Sequence, residues 1–204
     1  MRKYKLSPKS IFDQMNHWGY GTKMLGDLEI RDAFRTYCKK KNTCILIDEL
    51  DLNRGKARVD LIQFGQFIVG YEIKSDKDTL ERLNTQTDNY NRSLEKIVLI
   101  IGSKHKEKVQ ELIPSWWGII LALPKNDGVS FISVRESELN PYFDPTSLLD
   151  LLWKEELLQI LSIYGINSGV ASKNKYELKQ LVKSISPYYE LKSYASAFVI
   201  QRKS

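Results

Sequence analysis

Three charged side chains near the middle of the chain have the types and the spacing of a metal-assisted hydrolytic site. Asp60 lies in the apolar run 58–64, and Glu72 and Lys74 lie in the apolar run 67–74. Side chains alternate between the two faces of a strand, so Glu72 and Lys74 project to the same side. Carboxylates bind Mg²⁺, and a neighbouring lysine can orient a water molecule near a phosphate. Asp60 would complete such a site.

The Glu-x-Lys spacing is weak evidence by itself. It also occurs at 177–179 and 190–192, in helix-like sequence where residues two apart point in different directions. A cross-strand ion pair among Asp60, Glu72 and Lys74 is the alternative interpretation.

The turn between the two runs decides whether these side chains meet. A strict two-residue turn at Gly65 and Gln66 would place Asp60 opposite Tyr71, so that it points away from Glu72. A loop with an odd number of residues, or a bulge near Gly70, restores a shared face. We therefore predict an odd loop or a bulge.

The surrounding pattern predicts an α/β fold in which helices flank a mixed central β-sheet. Apolar residues recur at helical spacing from Ile30 to Cys38 and from Leu80 to Leu94. Short β-branched or apolar runs predict the strands 44–47, 58–64, 67–74, 97–101, 117–123 and 129–134. A short helix over 104–113 is also expected.

Beyond the proline-containing stretch 137–147 the strand signal disappears. Two amphipathic stretches, 148–163 and 175–185, predict a small all-helical unit. We therefore divide the chain into a domain over 1–140 and a helical unit over 141–204, similar in outline to a SAP-like DNA-binding module. Lys173 and Lys175 are candidates for phosphate contacts, and a solvated basic face is the alternative.

Composition limits the class of protein without deciding its function. The formal net charge is +6; residues 154–204 contribute +4 (8 Lys+Arg against 4 Asp+Glu), which permits an anionic partner. No apolar run approaches the roughly 20 residues that cross a bilayer, so we expect no membrane association. Only two cysteines, Cys38 and Cys44, occur, which favours a cytoplasmic protein.

The combined motifs resemble the sce7726 family, a branch of the PD-(D/E)xK nuclease superfamily. The resemblance covers roughly residues 27–120. The residues that carry it are Glu49-Leu50, Arg58-Val59-Asp60, Gly70-Tyr71-Glu72-Ile73-Lys74-Ser75, Asp78-Thr79-Leu80, Arg82-Leu83, Gln86 and Tyr90.

This resemblance implies a role for each matching residue. It makes Asp60 and Glu72 the metal ligands, Lys74 the residue that positions or activates the attacking water, and Glu49 the upstream acidic residue. For Glu49, a solvated acidic strand end is the alternative.

The same resemblance places a Gln-x-x-x-Tyr feature, Gln86 and Tyr90, on the helix after the core strands. Arg82 precedes Gln86 by four residues, so all three share one ridge of that helix. Arg82 could bind a phosphate, and Gln86 a metal-bound water or a backbone oxygen. Tyr90 could instead belong to the core.

The expected function is that of a nuclease with a restriction-endonuclease-like core. It would hydrolyse phosphodiester bonds in DNA with Mg²⁺, which Mn²⁺ could replace. The alternative is a catalytically inactive protein of the same fold that binds nucleic acid or acts in regulation.

Overall fold

One six-stranded sheet forms the centre of the part of the chain that the structure describes. The computed structural model describes residues 23–40, 45–125 and 128–203, so the predicted strand residue Cys44 lies outside it. The strands are β1 (Ile45–Leu52), β2 (Ala57–Phe64), β3 (Val69–Lys74), β4 (Lys96–Ile101), β5 (Gly118–Lys125) and β6 (Gly128–Arg135). Their order in the sheet follows their order in the chain.

The sheet is mixed, as the sequence predicts. The neighbours β1, β2 and β3 are antiparallel, β3, β4 and β5 are parallel, and β6 is antiparallel to β5. Helix α1 (Asp27–Lys40) precedes the sheet, α2 (Leu83–Ser93) connects β3 with β4, and the short α3 (Val109–Leu112) precedes β5. The α/β class, with helices flanking a mixed sheet, is confirmed.

The two faces of the sheet carry separate apolar clusters. Residues of β4 alternate between them: Leu99 belongs to the cluster that contains α2, and Ile100 belongs to the one that contains α1. Helix α1 buries Ile30 and Phe34 against its face. A side chain on β2 or β3 therefore has a fixed environment once the strand register is set.

The hairpin between β2 and β3 has the predicted odd loop. Leu61 pairs with Tyr71 and Gln63 pairs with Val69, so five residues, 64–68, close the hairpin. The same register places Asp60 opposite Glu72. A Cβ at Gly70 would lie 2.4 Å from the Leu94 side chain, so this position needs glycine because α2 ends so close to the sheet.

Strand β1 is irregular at Glu49. The ladder with β2 pairs Asp48 with Leu61 and Leu50 with Val59, and it skips Glu49. Glu49 has a φ of 46°, in the left-handed region that residues with a Cβ rarely adopt. Its partner position on β2 is Asp60, so a strained residue lies directly beside the predicted site.

Four helices follow the sheet: α4 (Leu148–Leu151), α5 (Lys154–Ile163), α6 (Lys175–Ile185) and α7 (Tyr188–Lys203). The sequence predicted α4 and α5 as one stretch over 148–163 and α6 over 175–185, and it did not predict α7. Leu152, Leu178 and Val199 belong to the same apolar cluster as residues of β4 and β5, so one core runs from the sheet into these helices. The division into 1–140 and 141–204 stays a prediction.

The buried carboxylate of Glu95 attaches α7 to the sheet. Its Oε2 accepts the Ile68 N–H at 2.6 Å and lies 2.7 Å from Lys192 Nζ, and its Oε1 accepts the Tyr188 hydroxyl at 2.5 Å.

In the described part of the chain, no helix is long and apolar enough to span a bilayer.

Replacing Glu95 by alanine should lower the free energy of unfolding by about 2–4 kcal/mol, because Lys192 and the Ile68 N–H would lose a buried partner. Urea denaturation measures this difference. Glu107→Ala, which removes an exposed carboxylate, is the control. A loss below about 0.5 kcal/mol for Glu95→Ala would show that the carboxylate does not hold α7.

Candidate functional site

A buried polar cluster lies where β2 and β3 face helix α2. Its centre is Glu72, which is 2% exposed. Glu72 Oε1 accepts hydrogen bonds from Lys74 Nζ at 2.6 Å and from Gln86 Nε2 at 2.8 Å. The Tyr90 hydroxyl donates to Glu72 Oε2 at 2.6 Å and also lies 2.7 Å from the Arg58 carbonyl oxygen. Both oxygens of Glu72 therefore have partners inside the protein.

Asp60 connects this polar cluster to helix α1. Its Oδ2 accepts the backbone N–H of Ile73 at 2.7 Å, and its Oδ1 lies 3.2 Å from Arg31 Nη2. Arg31 also pairs with Asp27 at 3.0 Å and with Glu49 at 3.2 Å. One guanidinium thus joins carboxylates from α1, β1 and β2.

The cluster changes the proton affinities of its members. Burial raises the pKa of Asp60 to about 7, and the Glu72 charge adds to this effect, while the Ile73 N–H and Arg31 oppose it. Burial, followed by the Glu72 charge, also raises the pKa of Tyr90 above its ordinary value. Tyr90 is therefore a neutral hydrogen-bond donor at physiological pH.

The structure brings most of the predicted site residues together. Arg31 pairs with Glu49 and Asp60, Lys74 pairs with Glu72, and Gln86 and Tyr90 contact Glu72. Tyr90 is fully buried: its ring belongs to the apolar core, and its hydroxyl faces the polar cluster.

Two further arginines concern the site: the phosphate-binding role of Arg82 stays a prediction, and Arg31 was not predicted. Arg82 is exposed at the start of α2, and within the described ranges it forms no ion pair. The sequence reading missed Arg31. Its spacing of four residues from Asp27 is the signal of a helical ion pair that could have identified it.

The arrangement does not fit the predicted metal site. The Asp60 oxygens contact the Ile73 N–H and Arg31. The Glu72 oxygens contact Lys74, Gln86 and Tyr90. In residues 23–40, 45–125 and 128–203, no group of three or more His, Cys, Asp and Glu side chains is placed to hold a metal ion. Metal binding by this cluster was therefore a wrong expectation. No observation tests whether the protein uses Mg²⁺ or Mn²⁺ as a cofactor, which stays a prediction.

A second feature is an open cleft of about 320 Å³ between β1 and the C-terminal helices. It is formed by the turn 53–55 after β1, the α4–α5 junction, the start of α6 and the end of α7. We call it the basic cleft because four cationic side chains line it, those of Arg54, Lys175, Arg202 and Lys203. The aromatic side chain of Trp153 also lines it.

The acidic residues of the basic cleft are already paired. Asp150 binds Arg54 Nε at 3.1 Å and also Lys179. Asp51 and Glu49 lie 2.8 Å and 3.6 Å from Arg58.

Two cations of the cleft have no carboxylate partner among the described residues. Neither Lys175 nor Lys203 forms an ion pair with any residue that the structure describes. Partial burial, followed by the Lys179 charge, lowers the pKa of Lys175, while the Asp150 and Glu156 carboxylates oppose this shift.

Only one of the two predicted phosphate-binding lysines lies in the basic cleft. Lys175 lines it, whereas Lys173 pairs with Glu177 at 3.7 Å on the surface of α6. The sequence reading missed Arg54, Arg202 and Lys203, because they are far apart in the chain and no motif connects them.

Comparison with known proteins identifies the family. A family model described as bacteriophage P4 protein cII matches residues 30–203, which is most of the chain. The chain belongs to the bacteriophage P4 cII family. A relative named Protein cII, from Enterobacteria phage P4, is 27% identical over 146 residues, which are 70% of this chain and 55% of that protein. The cII-family chain thus spans about half the length of this curated relative, and no solved structure matches it.

This finding corrects the functional expectations. The chain is a cII-family protein, so its predicted membership in the sce7726 family is wrong, and so is the predicted activity as a metal-dependent nuclease. The catalytic roles of Asp60, Glu72, Lys74 and Glu49 depended on that activity. In the cluster itself, Lys74 Nζ is nearly buried and forms an ion pair with Glu72.

Replacing Asp60 by asparagine should change how stability depends on pH. Between about pH 4 and pH 7 the folded protein keeps a proton on Asp60 that the unfolded chain releases. The free energy of unfolding therefore falls as pH rises through this range, by up to about 4 kcal/mol from this group. Asp60→Asn removes that contribution.

The stability of Asp60→Asn relative to wild type should therefore increase from about pH 4 to pH 7 and then stay constant. Urea denaturation across this range measures it. Asp32→Asn, which removes an exposed carboxylate of α1, controls for the loss of one charge. Parallel pH profiles for wild type and Asp60→Asn would contradict the assignment.

Proposed function

We propose that this cII-family protein binds DNA without cleaving it, and that the basic cleft is the contact surface. The observation that carries the proposal is the convergence of Lys175, Arg202 and Lys203 from α6 and α7 on one open cleft. Two of these cations, Lys175 and Lys203, lack carboxylate partners among the described residues. A polyanion is the class of ligand that such a cleft fits.

The electrostatics of Lys175 favour an anionic ligand. Burial and repulsion from the Lys179 charge lower the pKa of Lys175, and the Asp150 and Glu156 carboxylates oppose part of this effect. A phosphate placed in the cleft would relieve this repulsion and release counterions from the nucleic acid. Contacts of this kind position a protein on DNA and carry no sequence information by themselves.

The turn at the cleft edge supports a binding role for Arg54. Asn53, Arg54 and Gly55 have φ values of 47°, 60° and 81°, three left-handed residues in succession. Strained backbone of this kind is found preferentially at ligand-binding sites, and only a well-determined surrounding structure maintains it. Here it presents the Arg54 side chain, which is 69% exposed, at the edge of the cleft.

The polar cluster has a supporting role in this proposal. Glu49 belongs to both features, since its carboxylate pairs with Arg31 and its backbone oxygen accepts a hydrogen bond from Lys203 Nζ at 3.4 Å. The ion pairs of the cluster thereby fix the β1 side of the cleft. The buried residues hold the surface in place, and the exposed cations contact the ligand.

Replacing Lys175 and Lys203 together by glutamine should weaken DNA binding by roughly tenfold or more, because two phosphate contacts are lost. The slope of log affinity against log salt concentration should decrease in magnitude by about 2. Fluorescence anisotropy of a labelled oligonucleotide, titrated at several salt concentrations with EDTA present, measures both quantities.

The matched control is the double variant Lys39→Gln/Lys40→Gln. It removes the same charge from two exposed lysines at the end of α1, outside the cleft. It should retain most of the affinity. Equal losses in both double variants would indicate an effect of net charge alone, and the proposed site would be wrong.

A further inference from the structure

We infer that the basic cleft takes unpaired nucleotides and that a base stacks on Trp153, which makes single-stranded DNA its preferred ligand. This inference rests on the proposed function, because it names the class of nucleic acid that the same cleft binds. The observations that carry it concern the aromatic side chain and the cations around it.

Trp153 is an exposed aromatic platform in a charged cleft. It lines the cleft together with Lys175 and Lys203, and its residue is 56% exposed. The other two tryptophans that the structure describes, Trp116 and Trp117, are buried at 7% and 0% exposure. An indole left open among lysines and arginines has the composition of single-strand binding sites, where bases stack on aromatic rings and cations contact the phosphates.

The platform is held in place before any ligand binds. The Arg202 guanidinium carbon lies 4.4 Å from the centroid of the Trp153 ring, which is the geometry of a cation–π contact. Arg202 therefore occupies one face of the indole, and a base would stack on the other. Arg202 is fixed in turn by Glu156 at 3.4 Å and by the Leu151 carbonyl oxygen at 2.9 Å. The backbone N–H of Trp153 donates to Glu156 Oε2 at 2.6 Å. Binding therefore loses little additional side-chain conformational entropy, because Trp153 and Arg202 are already held in place.

The cations suit a single strand that passes the platform. Lys175 begins α6 and Lys203 ends α7, and both line the same small cleft as Trp153. A base on the indole would leave its flanking phosphates within reach of these flexible lysines. In a duplex the base faces are stacked on one another, so the indole would gain nothing.

The test compares three DNA ligands of about 12 nucleotides, a length within the range that small single-strand sites cover. They are a single strand, the matching duplex, and a single strand with abasic sites in place of its central bases. Wild type, Trp153→Ala and Trp153→Phe are titrated by fluorescence anisotropy, and the intrinsic tryptophan fluorescence is followed in parallel.

We expect wild type to prefer the intact single strand to the abasic one. Trp153→Ala should bind the intact strand roughly 5- to 150-fold more weakly, while its duplex affinity stays within about twofold of wild type. Trp153→Phe should retain most of the affinity because it keeps an aromatic face. Binding should quench tryptophan fluorescence in wild type and much less in Trp153→Phe.

The outcomes separate the two proposals. Equal binding of the intact and abasic strands, or an unchanged single-strand affinity in Trp153→Ala, would overturn base stacking. If lysine-dependent binding of duplex persisted in that case, the proposed DNA-binding function would stand. Loss of affinity in Trp153→Phe equal to that in Trp153→Ala would also reject the aromatic platform. Absence of binding to all three ligands would overturn both proposals.

Discussion

The burial of Glu72 between the sheet and helix α2 is the constraint on which this part of the molecule depends. Glu72 is 2% exposed, and burying a carboxylate costs free energy unless it is paired and hydrogen-bonded. Lys74, Gln86 and Tyr90 meet this requirement from β3 and α2. Gln86 and Tyr90 are four residues apart on α2, so the need to hydrogen-bond Glu72 also fixes the rotation of that helix against the sheet.

The hairpin register extends this constraint to the edge of the sheet. Five loop residues place Asp60 opposite Glu72, and the repulsion between the two carboxylates is reduced by Arg31 from α1. Arg31 reaches Glu49 on β1, the position where the ladder is interrupted and the backbone is left-handed. The hairpin register, followed by the ion pairs of Arg31 with Asp60 and Glu49, thus connects the buried centre of the sheet with the β1 side of the basic cleft.

Much of this geometry could be predicted from the sequence, whereas its function could not. Alternation of apolar residues predicts the strands, and the requirement that Asp60 and Glu72 share a face predicts an odd loop. Spacing does not reveal whether neighbouring carboxylates and lysines pair with one another or remain free to bind a metal ion and water. Asp60, Glu72 and Lys74 satisfy the same pattern in either case, and the nuclease interpretation followed from this pattern together with the resemblance to the sce7726 family.

The basic cleft shows why the remaining features escaped prediction. Arg54, Trp153 and Arg202 are separated by about 50 to 150 positions in the chain, and they meet only because α7 returns to the sheet. Helix α7 has apolar and polar residues distributed around its circumference, so it lacks the one-sided pattern that identifies a surface helix. Its position is determined by tertiary contacts such as those of Glu95, which no local window of sequence contains.

The central claim is that the open basic cleft, and not the buried polar cluster, contacts nucleic acid. Nuclear magnetic resonance of ¹⁵N-labelled protein titrated with a short single-stranded oligonucleotide tests it most directly. The account predicts that the Trp153 indole signal and the backbone amides of Lys175 and Lys203 shift on binding, while those of Glu72, Gln86 and Tyr90 do not. Shifts centred on Glu72 and Gln86, with an unchanged Trp153 signal, would contradict it.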